Sequence, residues 1–197
     1  MRSISPAAAI RATPVAAFVR VASLPGTPDA ARKAASRAAH DGELIHIRKG
    51  LYYRGRRTRY GMTRPRITQV VREVLGTRGV GPAGYSAARA WGVTTQLPSA
   101  FEVSTLRQVD NLIGVKQVLR RNLSRVDLNE KEIALLELLR APEVYIEAGW
   151  DAFVGKVREA VLAGEVREDA LRAAVHGERH VTVRSNFVRL ADDLAAA

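Results

Sequence analysis

The sequence predicts a mainly helical α+β protein, in which an N-terminal part with a small sheet precedes a mostly helical C-terminal part with a few short strands. Apolar residues recur at helical spacing over most of the chain. Runs of strand-forming residues are short and occur at 45–53, 100–106 and 115–119. The 197 residues are enough for two small domains, and a hydrophobic fraction of 47% supplies their cores.

The basic residues are concentrated in one segment. Residues 32–72 contain twelve basic and two acidic residues, a net charge of +10, compared with +11 for the whole chain. Such a focused field is typical of a polyanion-binding surface, because each neutralised phosphate releases counterions. Ten of the twelve are arginines, which donate bidentately to phosphates and guanine edges. RNA and an anionic membrane surface also fit a basic segment, so the local architecture has to distinguish among them.

Composition excludes several classes of protein. The chain has no cysteine, which excludes disulfides, thiolate metal sites and cysteine nucleophiles. No apolar run approaches the roughly 18 residues of a membrane span. Pro6, Arg11 and Pro14 interrupt the only stretch that resembles an export signal. We therefore expect a cytoplasmic, bacterial-type protein without membrane attachment.

No residue pattern indicates a catalytic or metal site. His176 and His180 have the spacing of two ligands on one helix face, but Gly177 interrupts that helix. Ser86 has no histidine or carboxylate beside it, so we expect it to cap a helix rather than act as a nucleophile. We therefore expect no enzymatic activity, no metal and no cofactor.

Three helices are predicted in the N-terminal part. A short helix lies within 1–13, and a second covers 14–23, where apolar residues recur at helical spacing. A third begins at Thr27, a good N-cap followed by proline, and runs to about His40.

The third predicted helix is polar and basic on one face only. Its inner face carries Ala31, Ala35 and Ala38, and its outer face carries Arg32, Lys33, Ser36, Arg37 and His40. A basic hairpin follows over 45–53, with a tight turn at Lys49–Gly50. This order of elements is typical of a winged helix-turn-helix, whose second motif helix enters the major groove while the hairpin contacts the flanking backbone or minor groove.

We divide the chain into a winged helix-turn-helix domain at 1–60, a basic linker with a connecting helix at 61–80, and a C-terminal domain at 81–197. The connecting helix covers 67–75. In the C-terminal domain, Ser86 is expected to cap a short helix, and Asn129 with Glu132 forms a capping-box pattern at the start of a helical series.

Two runs resemble the AbiEi-type antitoxins of bacterial abortive-infection (type IV) toxin–antitoxin systems. They are GELIHIRKGLYYRGRRTRYGMTRPR at 42–66 and GPAGYSAARAWGVTTQLP at 81–98, and the resemblance extends from about residue 14 to the C-terminus. It implies an N-terminal winged helix that represses the protein's own operon. It also implies a C-terminal domain that neutralises a nucleotidyltransferase-type toxin, directly or indirectly. Ala35 and Ala38 depart from the larger aliphatic residues usual in that family.

The resemblance also implies which residues bind DNA. They are Arg32, Lys33, Ser36 and Arg37 on the recognition helix, and Arg48, Lys49, Tyr52, Tyr53, Arg54, Arg56, Arg57 and Arg59 on the wing. The chemistry of Arg48 and Lys49 favours phosphate contacts, and the two tyrosines are expected to pack within the wing and offer one phosphate hydrogen bond. The expected partner is double-stranded operator DNA, bound by two copies if its half-sites repeat.

Two other functions stay open at this point. One is an ordinary winged-helix transcriptional regulator whose C-terminal domain senses a ligand or dimerises. The other is an RNA-binding or RNA-modifying enzyme, for which the sequence offers no catalytic residues.

Overall fold

The structure of the protein is a computed structural model that describes residues 4–196. They form two compact units that divide the chain between Val74 and Leu75, inside the predicted linker at 61–80. We call them the N-terminal unit and the C-terminal unit. The first three residues of the first predicted helix and the last position of the predicted C-terminal domain lie outside the described residues. Within 4–196, no helix is both long and apolar enough to cross a bilayer.

The N-terminal unit begins with two helices and a three-stranded sheet. Its elements are α1 (Pro6–Ala12), β1 (Ala17–Arg20), a 3-10 turn (Val21–Ser23), α2 (Pro28–His40), β2 (Ile45–Arg48) and β3 (Leu51–Arg54). The sheet is antiparallel, in the order β1-β3-β2. The predicted third helix is confirmed as α2, and the Thr27 hydroxyl accepts a hydrogen bond from Ala30 N at 3.3 Å.

The predicted helix over 14–23 is wrong, because this segment forms β1. Ala16 has a φ of +66°, in the left-handed region, which is incompatible with a continuous helix. Phe18 pairs with Tyr53 and Val19 with Tyr52, so β3 supplies the backbone hydrogen-bond partners. Tertiary strand pairing therefore overrides a local apolar pattern that also fits a helix.

The core of the N-terminal unit brings α2 close to α1. Ile10, Val19, Ala35, Ala38 and Leu44 form a buried cluster, in which Ala35 is fully enclosed. Because alanine side chains are short, the α2 backbone can lie near its neighbours. The opposite face of the helix is left to solvent.

Part of the predicted linker is an ordered hairpin. Strands β4 (Arg57–Thr58) and β5 (Gly61–Met62) pair antiparallel, and α3 (Ile67–Leu75) follows over the whole predicted range of the connecting helix. A Cβ at Gly55 would collide with the Thr63 carbonyl, so glycine is required where the chain enters this hairpin.

The C-terminal unit combines a three-stranded sheet with six helices among its described residues. Strand β6 (Gly81–Pro82) runs antiparallel to β7 (Phe101–Thr105), which runs parallel to β8 (Val115–Leu119). The other elements are α4 (Gly84–Ala90), a 3-10 segment (Leu123–Asp127), α5 (Glu130–Leu138), α6 (Pro142–Tyr145), α7 (Trp150–Leu162), α8 (Glu168–His176) and α9 (Val181–Ala195). The predicted α+β class is confirmed.

Helix α5 is the centre of the C-terminal unit. Its residues from Glu132 to Leu138 are all buried, because apolar side chains occur around the whole helix. Phe153, Val157 and Leu171 belong to the same buried cluster. The capping box predicted from Asn129 and Glu132 is confirmed.

Ser86 does not cap α4, contrary to the prediction. It lies inside the helix and is buried, and its Oγ accepts a hydrogen bond from Glu102 N at 2.9 Å. The Glu102 carboxylate, on β7, accepts a hydrogen bond from Tyr85 N at 2.9 Å. A distant acid thus satisfies an amide in the first turn of α4, which local sequence cannot reveal.

Five charged residues form a buried ion cluster in the C-terminal unit: Arg120, Arg125, Glu137, Arg140 and Glu178. Arg125 is fully buried, with Nη1 2.5 Å from Glu137 Oε1 and Nε 2.6 Å from Glu178 Oε1. Arg120 donates to both Glu137 oxygens, at 2.9 and 2.5 Å, and Arg140 Nη2 lies 2.9 Å from Glu178 Oε2. The cluster ties the end of β8 to α5 and to the α8–α9 loop.

The arginines of the cluster lower the pKa values of Glu137 and Glu178. Burial alone would raise the pKa of Glu137, but hydrogen bonding to Arg120 and the charges of Arg125 and Arg120 outweigh it and lower the pKa to about 2. Burial likewise opposes ionisation of Glu178, whereas the charge and hydrogen bond of Arg125 lower its pKa. Both acids are therefore charged in the folded protein at neutral pH.

We predict that the C-terminal unit loses stability in acid because of this cluster. A carboxylate whose pKa is lower in the folded state contributes its full stability above the unfolded pKa and loses it as the pH falls through the folded value. For Glu137 this window runs from the ordinary 4.5 down to about 2. Glu137→Gln should lower the free energy of unfolding at neutral pH by roughly 3 kcal/mol and flatten its acid dependence. Urea unfolding followed by circular dichroism at several pH values measures both effects.

The matched control is Glu165→Gln. Glu165 is half-exposed and forms an ion pair with Lys131. Its substitution by glutamine should therefore change the free energy of unfolding by less than about 1 kcal/mol. Equal losses in the two variants would contradict the assigned role of Glu137.

Candidate nucleic-acid interface

The outer face of α2 is exposed and basic. Arg32, Lys33, Ser36, Arg37 and His40 are all exposed, opposite the buried alanines. Arg32 is paired with Asp29 one turn earlier, and both side chains remain mostly in solvent. Lys33 and Arg37 form no ion pair within residues 4–196, so they are the cations of α2 that are free of an internal partner.

A groove beside α2 places further charges near this face. The groove, about 270 Å³ in volume, lies between α1 and α2 and is lined by Lys33, Arg37 and Arg11, with Asp41 and Glu43 also in its wall. Arg11 is therefore a basic residue of the surface that sequence reasoning missed. Its signal was weak because it stands alone among alanines at the end of α1.

A second cavity adjoins the first. It measures about 300 Å³ and shares Ile10, Arg11 and Glu43 with the first, and its wall adds Arg54 and Arg57. We call these two neighbouring cavities together the basic groove. Lys33 and Arg37 of the predicted recognition helix line the first cavity, and Arg57 of the predicted wing lines the second.

The predicted turn at Lys49–Gly50 is present between β2 and β3. Gly50 has a φ of +76°, and Arg48 pairs with Leu51 across a two-residue loop. Lys49 is exposed at the tip and Arg48 is half-buried. Neither residue lines the basic groove.

Two of the predicted DNA-binding residues make structural contacts within the N-terminal unit. Tyr53 is 4% exposed and packs edge-on against Phe18, with ring centroids 5.1 Å apart. Arg54 Nη1 donates to the backbone carbonyls of Arg11, at 2.8 Å, and Thr13. Tyr53 and Leu51 share the buried face of β3, as strand alternation predicts.

Tyr52 is half-buried and lies against the core. Its ring meets His46 of β2 edge-on, with the centroids 5.1 Å apart, and it packs against the buried cluster beneath α2. Tyr52 therefore supports the hairpin more than it offers a stacking surface.

The β4–β5 hairpin and the residue before it carry three exposed cations of the predicted wing. Arg56, Arg57 and Arg59 are all exposed. The Arg59 guanidinium lies 4.6 Å from the centre of the Tyr60 ring, and Tyr60 is 84% exposed. Tyr60 is a second residue that sequence reasoning missed, although an aromatic residue inside the basic run 54–60 is a readable signal.

The described part of the chain contains no group of three or more histidines and acids that could hold a metal ion. His176 ends α8, whereas His180 precedes α9, so the two lie on different elements.

Comparison with known proteins bears on the fold alone. The crystal structure of the RV2827C protein from Mycobacterium tuberculosis is similar to this chain, with a TM-score of 0.53 and 17% sequence identity. The match covers 96% of this chain and 75% of that one. No protein-family model matches the sequence, and no curated protein matches it at a significant level.

We predict different roles for two neighbouring arginines. Arg54→Ala removes hydrogen bonds to two backbone carbonyls and should destabilise the N-terminal unit by about 1–3 kcal/mol. Arg56→Ala, at an exposed side chain, should change stability by less than about 0.5 kcal/mol. Thermal unfolding of both variants measures the difference, and equal melting temperatures would show that Arg54 does not anchor β3 to α1.

Proposed function

We propose that the N-terminal unit binds duplex DNA as a winged helix. The observation that carries this proposal is the exposed cationic face of α2, which continues through Lys33 and Arg37 into the basic groove. The order α1-β1-turn-α2-β2-β3, with the sheet order β1-β3-β2, supports it, because a winged helix places a hairpin directly after its recognition helix. The 3-10 turn at Val21–Ser23 then takes the place of the first motif helix.

The dimensions of α2 suit the major groove. Its 13 residues make a helix about 20 Å long, with buried alanines on the inner face and polar and basic residues on the outer face. Lys33 and Arg37 are long enough to reach phosphates or base edges, and Ser36 between them can donate to either. The exposed arginines of the β4–β5 hairpin would add phosphate contacts beside the helix.

We further propose that the whole protein is the antitoxin of a toxin–antitoxin operon. In this role it represses its own promoter and neutralises a nucleotidyltransferase-type toxin through the C-terminal unit. The support is the sequence resemblance at 42–66 and 81–98. The second run makes a fixed surface turn, because the Glu147 carboxylate accepts hydrogen bonds from Thr94 Oγ1 at 2.7 Å and Thr95 N at 2.8 Å. Leu97 beyond the turn is 77% exposed and is available to a protein partner.

Charge reversal on α2 tests DNA binding. Replacing Arg32, Lys33 and Arg37 by Glu should weaken binding to upstream promoter DNA by about a hundredfold or more, and wild-type affinity should fall steeply as salt rises. A mobility-shift assay against the promoter and a scrambled duplex measures both affinity and specificity.

A control with the same charge change lies in the C-terminal unit. Arg89, Lys156 and Arg172 are exposed, and replacing them by Glu should lower affinity by about tenfold at most, through the general field alone. Equal losses of DNA affinity in the two triple variants would contradict a role for α2 in the interface. Equal wild-type affinity for promoter and scrambled DNA would contradict the repressor function.

Growth rescue tests the antitoxin function separately. In cells that express the toxin from the neighbouring gene, the wild-type chain should restore growth, and the α2 triple variant should do so as well. This result is expected because its substitutions leave the C-terminal unit intact. If promoter binding is present but neither protein restores growth, the chain is an ordinary winged-helix regulator with a ligand-sensing or dimerising C-terminal domain.

A further inference from the structure

The C-terminal unit contains a second basic site, away from the segment that dominates the charge of the sequence. A cavity of about 260 Å³ lies where the end of β8, the end of α5 and the α8–α9 loop meet. Its wall includes Arg120, Arg121, Arg140 and Arg179, together with Glu178 and His180. We call this cavity the arginine pocket.

The single carboxylate in the wall is already satisfied. Glu178 Oε1 accepts hydrogen bonds from Asn122 Nδ2 at 2.8 Å and Arg125 Nε at 2.6 Å, and Oε2 accepts one from Arg140 Nη2 at 2.9 Å. Arg121 and Arg179 are exposed, and their side chains form no ion pair within residues 4–196. Four arginines therefore surround the pocket with a positive excess.

The pocket is built on a rigid base. Arg120 is fixed by Glu137, and Arg140 by Glu178 and Glu137, so their guanidinium groups are held in position without a ligand. Gly177 allows the loop to approach closely, because a Cβ there would lie 2.5 Å from Asn122 Oδ1. A preorganised site loses little conformational entropy when an anion binds.

The positive charges next to the pocket are not fully compensated, because Arg120, Arg125 and Arg140 share only two carboxylates, those of Glu137 and Glu178. The buried Arg140 Nε lies 3.6 Å from Glu137 Oε2 and has no hydrogen-bond partner in the described part of the chain. Burial lowers the pKa of Arg140, and although Glu137 opposes this shift, the charges of Arg120 and Arg125 add to it. An anion in the pocket would relieve this repulsion. His180, in the wall, precedes the first turn of α9, whose positive end also favours an anion.

We propose that the arginine pocket binds the phosphate group of a small phosphate monoester, of the size of a mononucleotide. Arginine is suited to this ligand because its planar donors match phosphate oxygens bidentately. The volume of about 260 Å³ exceeds the need of a lone phosphate, since one water occupies about 30 Å³ of liquid, and leaves space for one organic group. This inference does not rest on the proposed function of the N-terminal unit.

Calorimetric titration of the full-length protein with adenosine 5′-monophosphate, inorganic phosphate and adenosine tests the proposal. All titrations use the same ionic strength, adjusted with sodium chloride. The monophosphate should bind saturably with a dissociation constant of about 1 mM or below, inorganic phosphate about tenfold more weakly, and adenosine not at all. Binding of inorganic phosphate with the same affinity as the monophosphate would overturn the assignment of a monoester, and absence of saturable binding of either would overturn the site.

Two exposed arginines provide variants that retain the fold. Arg121→Ala with Arg179→Ala should weaken monophosphate binding at least about tenfold. The matched pair Arg89→Ala with Arg172→Ala removes the same charge elsewhere on the C-terminal unit and should leave the affinity unchanged. Equal weakening in both pairs, or none in the first, would overturn the site. If a short DNA duplex binds more tightly than the monophosphate and its binding also depends on Arg121 and Arg179, the pocket is a nucleic-acid site instead.

Discussion

The enclosure of Arg125 is the constraint on which the C-terminal unit depends. A guanidinium group removed from water is unfavourable by several kcal/mol unless its charge and donors are matched. Glu137 matches it from α5 and Glu178 from the α8–α9 loop, while Ser104 Oγ accepts a third hydrogen bond at 3.0 Å from β7. One side chain thereby fixes a sheet, the central helix and a loop relative to each other. Apolar packing is non-directional, whereas these ion pairs and hydrogen bonds require particular partners in a defined geometry.

In the N-terminal unit, small buried residues hold α2 in place. Its function as proposed requires a helix that presents cations to a duplex while the rest of the unit keeps it in place. Ala35 and Ala38 meet the second requirement, because a helix with a short inner face can lie against α1 and the sheet without displacing either. Arg54 links the end of β3 to the carbonyls of Arg11 and Thr13 at the end of α1. One arginine of the basic segment therefore has a structural role. Lys33 and Arg37 stay exposed on the outer face of α2.

Local signals explain which parts of this structure could be predicted from the sequence. α2, α3, α7 and the capping box of α5 were predictable, because caps, glycines and apolar spacing act within a few residues. β1 was not, since its apolar spacing also fits a helix and its partner β3 lies more than thirty residues later. The β4–β5 hairpin has strands of two residues, too short for any alternation. The basic face of α2 and the packing of the wing tyrosines were predicted. The internal hydrogen bonds of Arg54 and the place of Arg11 in a cavity wall were not, because such contacts join residues distant in sequence.

The arginine pocket shows why net charge and local potential must be separated. Residues outside 32–72 carry a net charge of only +1, so composition gives no reason to expect an anion site in the C-terminal unit. Acidic and basic residues are equally numerous in the C-terminal unit. Glu137 and Glu178, however, are paired within the buried ion cluster, and the arginines without such a partner line the same cavity. The local potential depends on which charges are neutralised in the fold. The partners can be far apart in sequence, and Arg125 and Glu178 are separated by 53 residues. The same reasoning applies to α2, where pairing of Arg32 with Asp29 shifts the available charge toward Lys33 and Arg37, next to the basic groove.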